Sequence, residues 1–344
     1  MTVHFVASGK VPDKFRNEPS FLYRCENLAH SMGLLGIKTI LQHISEFSIE
    51  KDTTHVIFHR PRYSTRFKRI VKQLKTKHIT IIADFDDLLF DEDYLEFSPA
   101  ILNSILPTSK VRQAYRAHYQ ALNYVDHLTT STDCLARYAR ACFSHLQVKV
   151  HKNNLHHSWP LKPFKSADHR KKVLTYFPGT RSHDRDFWQI EDVLRQHLSD
   201  NKNTELLVIG PLRSNLLKSK HNQISHKERL SFEEYREAVS NSYVNLLPLE
   251  PTPFNQCKSA IKVIEAGNYA IPTICSALPD ASRFRGIGAS IAIDSDQWLE
   301  SLEFLSNYEH YQKALTQIRR SFHKAADPSP ACDSFIEHYQ IQTR

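Results

Sequence analysis

The 344-residue chain is expected to fold as an α/β protein built from two doubly wound halves that face a cleft. Three observations lead there. Short apolar runs alternate with helix-length segments along the chain, a polar stretch with two prolines interrupts them near the middle, and the alternation then restarts. Strand and helix in regular exchange imply mainly parallel sheets covered by helices. A chain of this length can bury two ordinary cores.

In the first half, strands are read at VHFVA, KTILQ, HVIFH, ITIIAD, HLTTS and VKVH, with helical patterns near residues 21–34, 65–74, 111–124 and 134–143. The second of these is the clearest. Phe67, Ile70, Val71 and Leu74 form one apolar stripe, while Arg66, Lys68, Arg69, Lys72 and Lys75 fall elsewhere. HKNNLHHSWPLKPFKSADHRKK, from His151 to Lys172, has little periodicity and reads as a linker. Beyond it come strands VLTYF, ELLVIG, VNLLP and IPTIC, with helices near 186–198, 232–240 and 258–266. The tail from Gln297 is helical, with Trp298, Leu302, Leu305, Tyr308 and Tyr311 near helical spacing.

Composition sets limits. Aromatic content of 10% and only eight glycines exclude a disordered or fibrous chain. A net charge of +8 suits an anionic partner: a nucleotide, a phospholipid surface, an anionic saccharide or nucleic acid. The six cysteines lie far apart with no C-x-x-C pair, as expected of buried thiols in a reducing compartment. The N-terminus lacks a signal pattern, and no apolar run approaches the ~18 residues of a membrane span. The expectation is a cytoplasmic protein whose only membrane contact is peripheral, at the inner face.

Ligands of open parallel sheets bind beyond the carboxyl ends of the strands, so the residues after strands carry the functional reading. VLTYF is followed by PGTRSHDRDFWQI. Gly179 lets the backbone approach a ligand, the next helix offers free N–H groups to an anion, and Arg181 adds a fork suited to phosphate. Asp184 and Asp186 are also good helix caps. Capping does not explain why Arg181, His183, Asp184 and Arg185 crowd one turn. After ELLVIG, Gly210 and Pro211 are ordinary turn residues, with Arg213 just beyond.

After VNLLP comes FNQCKSAIKVIEAGNYAIPTIC, Phe254 to Cys275. A helix from Lys258 to Ala266 would set Lys258, Lys262 and Glu265 on one face, opposite Ala260, Ile261, Val263 and Ile264. A solvated face with Lys262 paired to Glu265 leaves two lysines one turn apart, where they repel. A diphosphate near the helix start accounts for both, and a carboxylate one turn on suits ribose hydroxyls.

Three further stretches stay open. DFDDLLFDED, residues 84–93, can hold magnesium, cap and salt-bridge, or bind an acceptor, with metal the weakest reading. Residues 59–78 contain no acidic residue and make either a solvated amphipathic helix or a basic surface for an anionic membrane or glycan. They lack the interleaved aromatics of a nucleic-acid binder, and no nucleic acid is expected. The twenty histidines include His156 and His157 in tandem but no H-E-x-x-H, and read as surface or core residues.

GTRSHDRDF and FNQCKSAIKVIEAGNYAIP resemble two segments of the GT-B glycosyltransferases, in particular those similar to glycosyltransferase family 4. More weakly, SFLYRCENLAHSMGLLG is similar to their first helix, and IIADFDDLLFDED to their acidic stretch after a central strand. The resemblance implies two Rossmann-like domains of GT-B type facing a cleft. Residues 1–152 would bind acceptor, 153–172 form the linker and 173–325 bind the nucleotide sugar; the C-terminal helix in 326–344 would pack back on the first domain. It implies a donor site of Gly179, Arg181, Arg213, Asn255, Lys258, Ser259, Lys262 and Glu265. Glu265 would hold the ribose, and Arg181 and Lys258 the phosphates, so that Arg181, Lys258 and Glu265 converge on one cleft. Many members carry two glutamates eight positions apart, and the earlier position here is Cys257, with Asn255 taking part of that contact.

The implied activity is transfer of a sugar from a nucleotide-sugar donor to a saccharide or lipid-linked acceptor, in surface polysaccharide or glycolipid synthesis. The donor is a substrate; no cofactor and no metal are implied. Catalysis would be mostly electrostatic, with retention. His183 and Asp184 are the candidates near the reacting carbon, Asp184 either orienting His183 or acting as a nucleophile. The alternatives are a nucleotide-sugar epimerase of similar fold and a non-enzymatic basic module for nucleic acid or an anionic surface.

Overall fold

A computed structural model describes residues 1–9, 11–159, 172–219 and 222–342, which form two parallel six-stranded sheets. The first has β1 (Thr2–Ala7), β2 (Lys38–His43), β3 (Thr53–His59), β4 (Thr80–Phe85), β5 (His127–Thr130) and β6 (Gln147–Val150), in the order β2-β1-β3-β4-β5-β6. The second has β7 (Lys172–Tyr176), β8 (Thr204–Ile209), β9 (Ile224–Lys227), β10 (Val244–Leu247), β11 (Thr273–Ser276) and β12 (Ala289–Ala292), in the order β12-β11-β10-β7-β8-β9. The direction of winding reverses between β1 and β3 and between β7 and β10. Crevices that accept ligands open at such switch points.

The six strands of the first half lie where the sequence places them. The second half adds β9 and β12, which the sequence reading lacks. Both are edge strands. Each pairs on one side only, so β9 stays largely exposed as ISHK and β12 is a four-residue ASIA, without the long apolar run of a central strand.

The helix Thr65–Thr76 starts where the Ser64 side chain accepts from the Phe67 amide, and buries Phe67, Ile70, Val71 and Leu74. Burying each such side chain is worth about 1.5–3 kcal/mol. The first helical stretch contains a π-helical turn, Leu22–Glu26, before Asn27–Leu34. Such turns often mark functional positions because they re-aim consecutive side chains.

The segment read as one helix from Lys258 is two. Pro253–Gln256 forms a single turn capped by Thr252, and Ile261–Gly267 begins anew. The break has two causes. The Asp280 carboxylate accepts from the Ala260 amide at 2.8 Å, and the fully buried Cys257 joins an apolar cluster of the first half. Lys258 and Lys262 therefore share no helix face. Gly267 has a packing role, since a Cβ there would lie 2.2 Å from the Phe322 ring.

Helices Ser295–Ser306 and Tyr308–Ala325 bury Trp298, Leu302, Leu305, Tyr311, Leu315 and Phe322 in the second core. The helix Ser329–His338 crosses back, so that Cys332, Phe335, Tyr339 and Ile341 join Val3, Phe5 and Phe21 in the first half. Most of the expected linker, residues 160–171, lies outside the described residues. Ahead of it, the Leu155 amide donates to the Ala326 carbonyl at 2.9 Å, and Asn27 Nδ2 to the Leu155 carbonyl at 3.0 Å. All six cysteines are free thiols, five of them buried. Among the described residues, no helix is long and apolar enough to cross a membrane.

Candidate functional site

A cleft of about 560 Å³ opens between the two halves at the carboxyl ends of the second sheet. Phe177 and Gly179 line it after β7, and Ile209 at the end of β8. Gly179 sits at φ +72°, in the left-handed region where a Cβ is strained. Its amide is approached so closely by Gly210 that a Cβ on the latter would come within 3.4 Å. The rest of this wall comes from Arg229 to Arg236, where a Ser231–Glu234 capping box fixes the start of the helix Phe232–Ser240.

Glu265 is the central group. It is only 3% exposed and accepts from Tyr23 at 3.0 Å through Oε1, and from Tyr235 at 2.5 Å and Lys262 at 2.8 Å through Oε2. Lys262 Nζ also contacts the Tyr235 hydroxyl at 2.6 Å and lies 4.4 Å from the centre of its ring. Burial, and then the Glu265 charge, push both phenols well above their usual range, so each stays a proton donor. Tyr23 comes from the first half, so this carboxylate joins the two domains.

The cleft is electropositive. Arg16, Arg229, Arg236 and Lys262 line it against Glu26 and Glu265. Arg236 donates to the Ser158 carbonyl, and Arg16 to that of Leu41 at 3.2 Å. Among the described residues, neither they nor Arg229 form an ion pair.

Across the cleft the first half carries a buried ionic network. Arg24 binds both Asp84 oxygens, the shorter contact being 2.6 Å. His59 links Asp84, at 3.0 Å from Nδ1, to Ser20, at 2.8 Å from Nε2, and the Ser20 hydroxyl donates to Asp86 at 2.5 Å. Arg60, at a left-handed φ of +45°, reaches Asp86 and Asp87 at 2.6 Å each. Burial raises the Asp84 carboxyl, but Arg24 and His59 more than reverse this and hold it far below its usual value. Burial likewise raises Asp86, and Arg60 with His59 bring it down to about 2. The acidic stretch thus salt-bridges, and Asp91 caps the turn Glu92–Phe97.

Solved structures share this fold, several of them along all or nearly all of their length. HepE of Anabaena, solved in complex with UDP, matches with a TM-score of 0.63 at 10% identity, covering 99% of this chain and 100% of that one. WaaG, a glycosyltransferase involved in lipopolysaccharide biosynthesis, matches at 0.61 with 12% identity over 99% and 100%. A trehalose-6-phosphate synthase studied for glycosyltransfer with retention matches at 0.55 with 12% identity over 100% and 94%. Against the GtfA/B complex the chain spans 57% of the matched chain. No protein-family model matches the sequence, and no curated protein does.

The fold is GT-B.

Within this GT-B frame, Gly179, Lys262 and Glu265 line the one cleft, and the other expected residues do not. Arg181 and Arg213 are exposed, and Arg213 meets the site only through its amide, which donates to Asp184 Oδ1 at 2.9 Å. Lys258 lies 3.6 Å from Asp87 and over the Phe254 ring. Ser259 accepts from Asn153 Nδ2 at 2.8 Å. Asn255 is buried, donating to Asp186 Oδ1 at 2.9 Å, and faces a smaller cavity of about 210 Å³ with Glu250 and Trp298.

The orienting carboxylate of His183 is Asp186, not Asp184. His183 Nδ1 lies 2.7 Å from Asp186 Oδ2, whose other oxygen accepts from the Glu250 amide at 2.8 Å. Asp184 begins the helix Asp184–Trp188 and is turned toward the Arg213 amide. Sequence reasoning missed Tyr23, Tyr235, Arg229 and Arg236. The SFEE capping box marked a helix start, yet nothing local placed it beside a sequence-distant glutamate.

Proposed function

We propose that this protein is a glycosyltransferase that moves a sugar from a nucleotide-sugar donor to a saccharide or lipid-linked acceptor. The observation that carries the reading is Glu265, a buried carboxylate beside Lys262 at the base of an electropositive interdomain cleft. Ribose hydroxyls can replace the phenols on Glu265, and a diphosphate suits Lys262, the Gly179 turn and the neighbouring arginines. UDP is bound in the HepE structure of the same fold. Stabilisation of the departing diphosphate by fixed positive groups supplies the catalytic term. The trehalose-6-phosphate synthase likeness supports retention. His183, oriented by Asp186, is the side chain assigned to the reacting sugar, with the acceptor against the first domain. Peripheral attachment to an anionic inner membrane face rests on the exposed Lys68, Arg69 and Lys72.

The test is a thermal-shift and calorimetric screen of nucleoside diphosphates and nucleotide sugars, since a ligand at a hundred times its Kd stabilises by about 2.7 kcal/mol. One base is expected to bind in wild type and to fail in Glu265→Gln. A wild-type protein that binds no nucleotide would sink the reading. Donor conversion without any acceptor would make the protein an epimerase instead.

A further inference from the structure

His183 sits where a helix needs a cap and does not supply one. It is the N-cap of the helix Asp184–Trp188, yet its side chain makes no capping bond, because Nδ1 is turned to Asp186. The first amides of a helix have no partner within it, and a side-chain oxygen commonly takes one of them. Here that oxygen comes from the other domain. Asn103 Oδ1 accepts from the Arg185 amide at 3.1 Å, across 82 positions of sequence.

The same side chain holds the other flank of His183. Asn103 Nδ2 donates to the Ser182 carbonyl at 2.9 Å and to the Pro99 carbonyl, in its own turn, at 3.0 Å. These three contacts fix which way the amide faces. Turned over, its oxygen would meet two carbonyls and its nitrogen an N–H, and all three bonds would be lost. Asn103 closes the turn Pro99–Leu102, whose carbonyls accept from the amides of Asn103, Ser104 and Ile105 at 2.8–3.1 Å. The clamp thus projects from a hydrogen-bonded turn.

The second domain holds the His183 turn by separate bonds. The Tyr176 hydroxyl donates to the His183 carbonyl at 3.2 Å, and Arg185 Nε to Glu250 Oε2 at 2.9 Å. Those bonds lie within one domain and survive any parting of the two. The bonds from Asn103 to Ser182 and Arg185 cross between domains and do not.

We propose that Asn103 is a positioning residue, which caps the His183 helix from the first domain and so sets the imidazole only while the two domains are in contact. The inference rests on the transferase reading, in which His183 meets the reacting sugar, and adds a coupling to it. When the lobes part to admit donor or release product, the Arg185 amide and the Ser182 carbonyl exchange their partner for water, and His183 is freed on one flank. Closure remakes both bonds and completes the reacting geometry. Asn103 itself touches neither sugar nor nucleotide.

The test compares full-length wild type with Asn103→Ala. Asn103 is half-buried, so the variant should fold, as circular dichroism will verify. Hydrogen–deuterium exchange read by mass spectrometry needs no substrate. Peptides covering 178–190 should exchange about fivefold faster in the variant, as the loss of one cap implies, with the rest of the second domain unchanged. Turnover of the nucleotide sugar that binds wild type, with water as acceptor, should lose at least about tenfold in kcat, while KM and the nucleoside diphosphate Kd stay within about twofold. Asn123→Ala, at an exposed asparagine elsewhere in the first domain, should alter none of these. Unchanged exchange in 178–190, or a loss that falls on Kd rather than kcat, would overturn the proposal. A wild type that binds no nucleotide sinks the transferase reading by itself, and the exchange rates still decide whether the cap operates.

Discussion

At the carboxyl ends of their strands the two domains treat charge in opposite ways. In the first, Arg24, Asp84, His59, Arg60, Asp86 and Asp87 neutralise one another under cover of the fold. In the second, Arg229 and Lys262 stand at the edge of open space, and among the described residues only Glu265 forms an ion pair with either. The same architecture thus builds a frame on one side and a receptor on the other. A closed ionic network holds strand ends in register, whereas Arg229, which forms no ion pair among the described residues, and Lys262, which shares one carboxylate with two phenols, keep their attraction for an incoming anion.

The largest effect should come from breaking the closed side. Asp84→Asn or Arg24→Met leaves one buried charge uncompensated, and is expected to cost about 3–5 kcal/mol in urea unfolding. The same network gives a pH signature. Asp84 and Asp86 titrate lower in the folded chain than in the unfolded one, so their contribution is complete above the ordinary carboxylate range near 4 and is lost as pH falls toward about 2. Denaturation at pH 5, 4 and 3 should show falling stability, with the slope reduced in Asp86→Asn.

On the open side the loss should appear in binding instead. Lys262→Met is expected to weaken nucleoside diphosphate affinity by about tenfold to a hundredfold, or 1.4–2.8 kcal/mol, in calorimetry. Its unfolding free energy should move by about 1 kcal/mol or less, because Lys262 is partly exposed and both phenols still donate to Glu265. A larger stability change than affinity change would make Lys262 a framework residue and erase the contrast. A smaller effect is predicted for Asp186→Asn, which frees His183: about a tenfold lower kcat, or about 1.4 kcal/mol, with KM little altered. Smallest is the outer surface. Lys68→Glu should cost about 1 kcal/mol in sedimentation with vesicles of anionic lipid, with nucleotide binding untouched.

Legibility in the sequence followed the same divide. The central strands β1, β3, β4 and β5 were readable as largely buried runs, and the less buried edge strands β2 and β6 were read as well, whereas the missed β9 is a largely exposed ISHK and the missed β12 a four-residue ASIA. Gly179, Lys262 and Glu265 could be found since their chemistry is carried by residue type just after strands. Lys258 was misplaced because its helical spacing is a local signal, while the break that removes it from the helix comes from Asp280 and from burial of Cys257 in the other domain. Tyr23 could not be found at all. It is separated from Glu265 by 242 positions, and only the assembled fold brings them together.

Cys257 is buried at the seam between the halves, and its sulfur rests 3.8 Å from that of Cys134, which belongs to the opposite domain. Any hinge-like swing between the lobes has to part these two atoms and admit solvent to two thiols that are otherwise buried. Alkylation kinetics at this pair would therefore time how often the lobes part, without any attached probe. A ligand that holds the lobes together should slow that clock.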